Sequence, residues 1–137
     1  MPIAAATEVA TKSERYPMLF SPIKVGTQTV KNRLWMPPVS TNLAIDHGHV
    51  SEALIEHYTN RAKGGVGLIV TEVVTVEPTY VYLPGDMCMA DDSFVPDWEK
   101  LAAGVHEYGA KILPQLFHPA YMAFPIPGTP KLIAPSF

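Results

Sequence analysis

The chain has 137 residues, of which 47% are hydrophobic and 17% are charged, and its formal net charge at pH 7 is −3. This amino-acid composition is typical of a single globular domain. Lysine and arginine are scattered and form no basic stripe, and no apolar run approaches the roughly 18 residues that span a bilayer. The composition therefore predicts neither a nucleic-acid partner nor a membrane partner.

The beginning of the chain does not resemble a secretory signal. Residues 1–16 are rich in alanine and threonine and contain no basic segment followed by an apolar one. We expect a flexible leader there, followed by one domain over residues 17–137. The single cysteine, Cys88, cannot form an internal disulfide, and it is interpreted as a packed, inert thiol in a cytoplasmic protein.

The first elements of the domain are short. Apolar and polar residues alternate on both sides of Gly26, which predicts a two-stranded hairpin over residues 21–32. The next apolar run, residues 34–36, has strand length and must stop pairing at Pro37 and Pro38, which have no N–H to donate. This strand therefore presents residues 39–41 beyond its carboxyl end, where parallel α/β folds hold ligands. The alternative is a plain turn that happens to contain serine and threonine.

The loop that follows contains Asp46, His47 and His49, residue types that bind metal ions. A metal site needs further ligands at regular spacing, and the loop supplies none. We therefore interpret this stretch as a solvated turn and predict no metal site.

Two strand–helix units then follow one another. Ser51 is a good N-cap for a helix that ends at Gly64-Gly65, and an apolar strand runs from residue 66 to residue 74. After a long connection over residues 75–92, a second helix begins near Ser93 or at Asp97 and stops at Gly109. A third strand covers residues 111–118, and the proline-rich remainder, residues 119–137, is predicted to be a loop or arm.

These elements predict an α/β fold with three neighbouring parallel strands. Three such strands cannot close a barrel, and the third strand has no cover for its apolar edge. The sequence therefore indicates part of a larger (β/α) domain, which would be completed by the remainder of a barrel or would self-associate.

Several blocks in this order resemble the old yellow enzyme family of NADH:flavin oxidoreductases, within the branch similar to 2,4-dienoyl-CoA reductase. The blocks are Leu19-Phe20-Ser21-Pro22, Lys31-Asn32-Arg33, Arg61-Ala62-Lys63-Gly64-Gly65-Val66-Gly67, Thr71-Glu72, Gln115-Leu116-Phe117-His118 and Ala134-Pro135-Ser136. The resemblance implies a (β/α)8 TIM barrel, of which this chain supplies the N-terminal hairpin and about the first three strands. It also implies FMN as cofactor, NADH or NADPH as reductant, and an enone or dienoyl compound as the small-molecule substrate.

The resemblance further implies roles for individual residues. Pro38 and Val39 would pack on the flavin and hydrogen-bond to it through their backbone, and Ser40 would place a hydroxyl near its O4/N5 side and tune it. Val73 would pack near the ring. Gln115 would recognise the pyrimidine edge, because one amide can both donate and accept hydrogen bonds.

Other interpretations remain open at this point. The family usually continues with a small residue, glycine and arginine after His118, whereas this chain has Pro119-Ala120-Tyr121. The family's proton donor and phosphate-binding loops belong to later strands, so the chain could be a truncated, non-catalytic fragment that acts as an interaction or folding unit. An unrelated aldolase barrel would need a Schiff-base lysine at a strand end, and Lys111 lies at the wrong end of its strand. Glu72 could be structural.

Overall fold

The structure, a computed structural model, describes residues 11–124 and residue 131. Its helices and strands are, in chain order, α1 (Lys12–Arg15), β1 (Ile23–Val25), β2 (Gln28–Val30), β3 (Trp35–Met36), α2 (Glu52–Lys63), β4 (Leu68–Thr75), β5 (Met87–Cys88), α3 (Val95–His106) and β6 (Lys111–Phe117). The short helix α1 lies within the segment predicted to be a flexible leader, and residues 1–10 and most of the proline-rich arm lie outside the described residues.

The predicted hairpin is confirmed, and it lies at the amino ends of the parallel strands. Strands β1 and β2 pair antiparallel around Gly26, whose φ of +58° suits a residue without a Cβ. The Lys31 ammonium donates to the carbonyl oxygen of Tyr108 at 2.5 Å. The Gly67 backbone, just before β4, lies so close to Asn32 that a Cβ would be 2.4 Å from its Oδ1. These contacts fix the hairpin beneath the sheet.

The main sheet is parallel, as predicted, with β4 in its centre. Strand β6 pairs with β4 along its length, while β3 pairs with its beginning and β5 with its end. A strand has only two hydrogen-bonding edges, so β3 and β5 share the edge opposite β6. The pairing of β5 was not predicted, because two residues within a long loop carry no periodic signal.

Helices α2 and α3 bury the core against this sheet. Ser51 caps α2 by accepting a hydrogen bond from the Leu54 N–H at 3.1 Å, as predicted. The left-handed residue after the helix is Gly65, with φ +106°. The core is formed by the side chains that the two helices and the strands bury together, among them Leu54, Tyr58, Ala62, Ile69, Val74, Met87, Leu101 and Val105.

The start of α3 resolves the alternative that the sequence left open. A 3₁₀ turn over Asp92–Phe94 leads directly into α3 at Val95, and the Asp91 carboxylate accepts the Ser93 N–H at 2.8 Å. Pro96 then falls within the first helical turn, where its missing N–H costs no hydrogen bond.

Strand β6 leaves apolar side chains exposed. Leu113 is 53% exposed and Leu116 is 61% exposed. Because they lie three residues apart in a strand, they point to opposite faces of the sheet. Both faces of β6 therefore need cover beyond the described residues, as expected for an inner strand of a larger parallel sheet.

Candidate functional site

The carboxyl-terminal halves of β4 and β6 lie side by side, and the segment that follows β3 runs to the same edge of the sheet. Val73 on β4 and Gln115 on β6 are paired residues in the ladder. The backbone after β3 reaches the same edge, because the Thr41 N–H donates a hydrogen bond to the Glu72 carboxylate. The structure thus brings the three predicted strand ends together.

The residues predicted to contact a ligand are accessible at this edge. Pro38, Val39 and Ser40 are exposed, and Val73 and Gln115 are half-buried. Neither the Ser40 hydroxyl nor the Gln115 side-chain amide makes a hydrogen bond with the residues that the structure describes. A hydroxyl and an amide can each donate and accept hydrogen bonds, which fits a planar ring with alternating N–H and carbonyl groups.

A bulge in β4 shapes the edge. Val70 pairs with Leu113 and Val73 pairs with Gln115, so Thr71 and Glu72 together face the single residue Pro114. Proline cannot donate to the ladder, and the neighbouring Gln115 N–H instead lies 3.4 Å from the Thr71 hydroxyl. Such an extra residue changes the direction of the side chains around it.

Glu72 is the most deeply buried acid of the described residues. Its side chain is fully buried, and its own N–H donates to the Tyr58 hydroxyl at 2.9 Å. Burial raises the pKa of Glu72, the Thr41 hydrogen bond opposes that rise, and the negative charge of Asp86 adds to it. Burial likewise raises the pKa of Tyr58 to about 12.

The loop after β3 is also held from the segment before β5. The Gly85 N–H donates to Asn42 Oδ1 at 2.7 Å, and the Ala44 N–H donates to the Gly85 carbonyl oxygen at 3.0 Å. A Cβ on Gly85 would lie 2.6 Å from the Asn42 carbonyl oxygen, so only glycine permits this approach. Asn42 itself has φ +59°.

A cleft of about 600 Å³ opens beside this loop. Its walls include Asp46 and His47 from the β3–α2 loop and Pro78, Thr79, Val81, Pro84 and Asp86 from the β4–β5 loop. Burial raises the pKa of Asp86, whose Oδ2 accepts the Leu83 N–H at 2.7 Å. The residues predicted to contact flavin are not part of its walls.

The two loop histidines have different environments. His47 lies in a tight turn that the Gly48 N–H closes onto the Ile45 carbonyl oxygen at 3.0 Å. His49 is half-buried, with its Nδ1 2.7 Å from Asp97 Oδ2 and its ring stacked on Phe94. This pair ties the loop to α3. Among the described residues, no three histidine, cysteine, aspartate or glutamate side chains are grouped to hold a metal ion.

Two other chemical predictions concern cysteine and lysine. Cys88 is buried in β5, so its predicted packing is confirmed. Lys111 is the first residue of β6 and lies at its amino end, far from the edge that an aldolase lysine would need.

In the part of the chain that is described, no helix has both the length and the apolar character required to cross a membrane.

The contacts that hold the β3–α2 loop have little signal in the sequence. For the contact between Thr41 and Glu72, the one signal is the polar pair Thr71-Glu72 inside an apolar run. A strand buried on both faces rarely carries a carboxylate. The pairing of Asn42 with Gly85 had no signal, because the two residues are far apart in the sequence.

Comparison with known proteins identifies relatives of this arrangement. The family model described as the NADH:flavin oxidoreductase / NADH oxidase family matches residues 18–125. An NADH oxidase from Thermoanaerobacter brockii is 43% identical over 104 residues, which are 75% of this chain and 16% of that protein. A cinnamate reductase from Clostridium sporogenes is 36% identical over 108 residues, again 75% of this chain and 16% of that protein.

A solved relative supports the fold. The old yellow enzyme from Trypanosoma cruzi superimposes with a TM-score of 0.72 at 31% identity, covering 80% of this chain and 29% of that one. The prediction of an α/β fold that forms part of a (β/α)8 barrel is thereby confirmed. The chain spans 16% of the length of the two curated relatives above.

Proposed function

Because the chain belongs to the NADH:flavin oxidoreductase / NADH oxidase family, we propose that it provides part of the FMN-binding surface of an ene-reductase. The family uses FMN with NADH or NADPH as reductant. Bound FMN would supply hydride transfer from NAD(P)H to an activated C=C bond, as in an enone or dienoyl compound. The matched region covers the hairpin and all three strand ends.

The observation that carries the proposal is the meeting of three strand ends at one edge. We call Pro38, Val39, Ser40, Val73 and Gln115 the flavin bed. Val39, which is 57% exposed, and Val73 offer apolar surface, while the Ser40 hydroxyl and Gln115 amide offer unengaged polar groups. Apolar walls with a few placed polar groups are the usual composition of a cofactor site.

Each polar residue of the flavin bed has a distinct proposed task. Gln115 would orient the cofactor by donating and accepting hydrogen bonds at the ring edge. Ser40 would donate a hydrogen bond where negative charge develops during reduction, which favours the reduced state. Its role is therefore tuning of the flavin rather than proton transfer to substrate.

The test compares FMN affinity of the 137-residue chain with that of its Gln115→Leu variant, by equilibrium dialysis. Leucine leaves ring polar groups unpaired, so binding should weaken by about 1–3 kcal/mol. The control is Gln28→Leu, on the exposed hairpin strand β2, which should leave the affinity unchanged. Equal affinities of the wild-type chain and Gln115→Leu would contradict the assignment.

A second candidate is a non-catalytic fragment that acts as an interaction or folding unit. The exposed Leu113 and Leu116 favour it, because uncovered apolar strands associate readily. Absorbance of the purified chain in the flavin bands distinguishes the two candidates.

We also propose a cytoplasmic location, since the one cysteine has no partner for a disulfide.

A further inference from the structure

The Glu72 carboxyl group makes a contact outside the flavin bed, with the N–H of Thr41. A buried carboxyl group is costly unless a hydrogen bond compensates it, and an apolar residue in the same place would avoid the cost. Among the described residues, its Oε1 has no hydrogen-bond partner, and its Oε2 accepts only the Thr41 N–H. The contact with Thr41 is therefore the interaction that the carboxyl group supplies.

The Thr41 N–H is the first backbone donor anchored after β3. Pro37 and Pro38 have no N–H, and within the described residues the N–H groups of Val39 and Ser40 donate no hydrogen bond. The segment from Pro37 to Ser40 therefore depends on what holds Thr41. On the far side, the Gly85 contacts with Asn42 and Ala44 hold the rest of the loop.

The other end of the contact is rigid. The Glu72 backbone lies in the β4 bulge, and its N–H is bound by the hydroxyl of Tyr58, a fully buried residue of α2. The next residue, Val73, pairs with Gln115. One side chain thus connects the loop of Ser40 to the strand pair of Val73 and Gln115.

We infer that Glu72 is a positioning residue, which accepts the Thr41 N–H and thereby fixes Ser40 relative to Val73 and Gln115 for flavin binding. This inference rests on the proposed function. Glu72 need not touch the cofactor. Since burial raises the pKa of Glu72, the group holds a proton more readily than an exposed carboxyl, and a protonated carboxyl still has a carbonyl oxygen that accepts the N–H.

The variants separate hydrogen-bond acceptance from charge. Glu72→Gln keeps an acceptor oxygen without a charge, whereas Glu72→Met fills similar space and accepts nothing. Glu72→Asp keeps the carboxyl group but shortens the side chain by one methylene. Glu56→Met, an exposed position on α2, is the matched control.

Two measurements on the 137-residue chain are needed. Hydrogen–deuterium exchange of residues 39–44 without flavin reports on the Thr41 N–H directly. Equilibrium dialysis with FMN reports on the flavin bed. For Glu72→Met, the loss of one hydrogen bond predicts about tenfold faster exchange and about tenfold weaker FMN binding. Glu72→Gln should stay within about threefold of the wild-type chain in both measurements, and Glu56→Met should be unchanged.

The outcomes are distinct. A wild-type chain that binds FMN, with Glu72→Met binding it equally well, overturns the inference and leaves the proposed function intact. Equal damage in Glu72→Gln and Glu72→Met also overturns it, because charge rather than acceptance would then be required. A wild-type chain that takes up no FMN refutes the proposed function and the inference together. If Glu72→Met does not fold, Glu72→Asp must show the same losses, and wild-type behaviour of that variant overturns the inference.

Discussion

Tyr58→Phe tests the link between helix α2 and strand β4. The variant removes one oxygen atom from a fully buried side chain and keeps the ring that packs in the core. That oxygen accepts the Glu72 N–H at 2.9 Å. Without it, a buried backbone donor loses its acceptor at a point where the β4 bulge takes Glu72 out of the regular ladder.

The expected loss follows from that unpaired donor. A buried polar group left without its partner costs about 1–3 kcal/mol, and the deleted hydroxyl itself takes little packing with it. With a urea dependence of about 1–3 kcal/mol/M, the unfolding midpoint should fall by roughly 1 M. The assay is urea denaturation followed by far-UV circular dichroism, at low protein concentration.

Tyr121→Phe is the control. Tyr121 is 64% exposed, and its hydroxyl makes no hydrogen bond with the described residues, so its loss should change stability by less than about 0.5 kcal/mol. Equal midpoints for Tyr58→Phe and the wild-type chain would show that the Glu72 N–H has another acceptor. The proposed link between α2 and the bulge would then be wrong.

Three further predictions concern the loop, its acid and the open sheet. Gly85→Ala should destabilise the chain by about 3–5 kcal/mol through overpacking and two lost hydrogen bonds. The control Gly26→Ala, with open space around it, should cost about 1–2 kcal/mol. Equal losses of stability in urea denaturation would refute the close approach of Gly85 to Asn42. Because burial raises the pKa of Glu72, the folded chain retains a proton that the unfolded chain releases above about pH 4.3. The free energy of unfolding should therefore fall as the pH rises from about 4.3 to the raised pKa of Glu72 in the folded chain. It should fall less steeply in Glu72→Gln, and parallel pH profiles of the variant and the wild-type chain would contradict this. Leu116→Asp should reduce self-association in sedimentation velocity, whereas Leu43→Asp, in the β3–α2 loop, should not; a monomeric wild-type chain would show that β6 needs no cover.

Local chemistry allowed much of the fold to be predicted. Prolines ended β3, Ser51 began α2, Gly65 followed its end, and the apolar periods of the helices and strands set their order. These signals act between near neighbours, so they are legible without a structure. The convergence of Ser40, Val73 and Gln115 followed from topology alone, since parallel neighbouring strands share one carboxyl edge.

The tertiary structure decided the contacts that depend on strand register. The bulge places Thr71 and Glu72 opposite Pro114 of β6, and neither strand reveals this register by itself. From this bulge, the Glu72 carboxyl group accepts the N–H of Thr41, a residue 31 positions away in the sequence. Side-chain partners of this kind are fixed by packing across strands rather than by local propensity, so the sequence left Glu72 ambiguous and only the fold assigns it a partner.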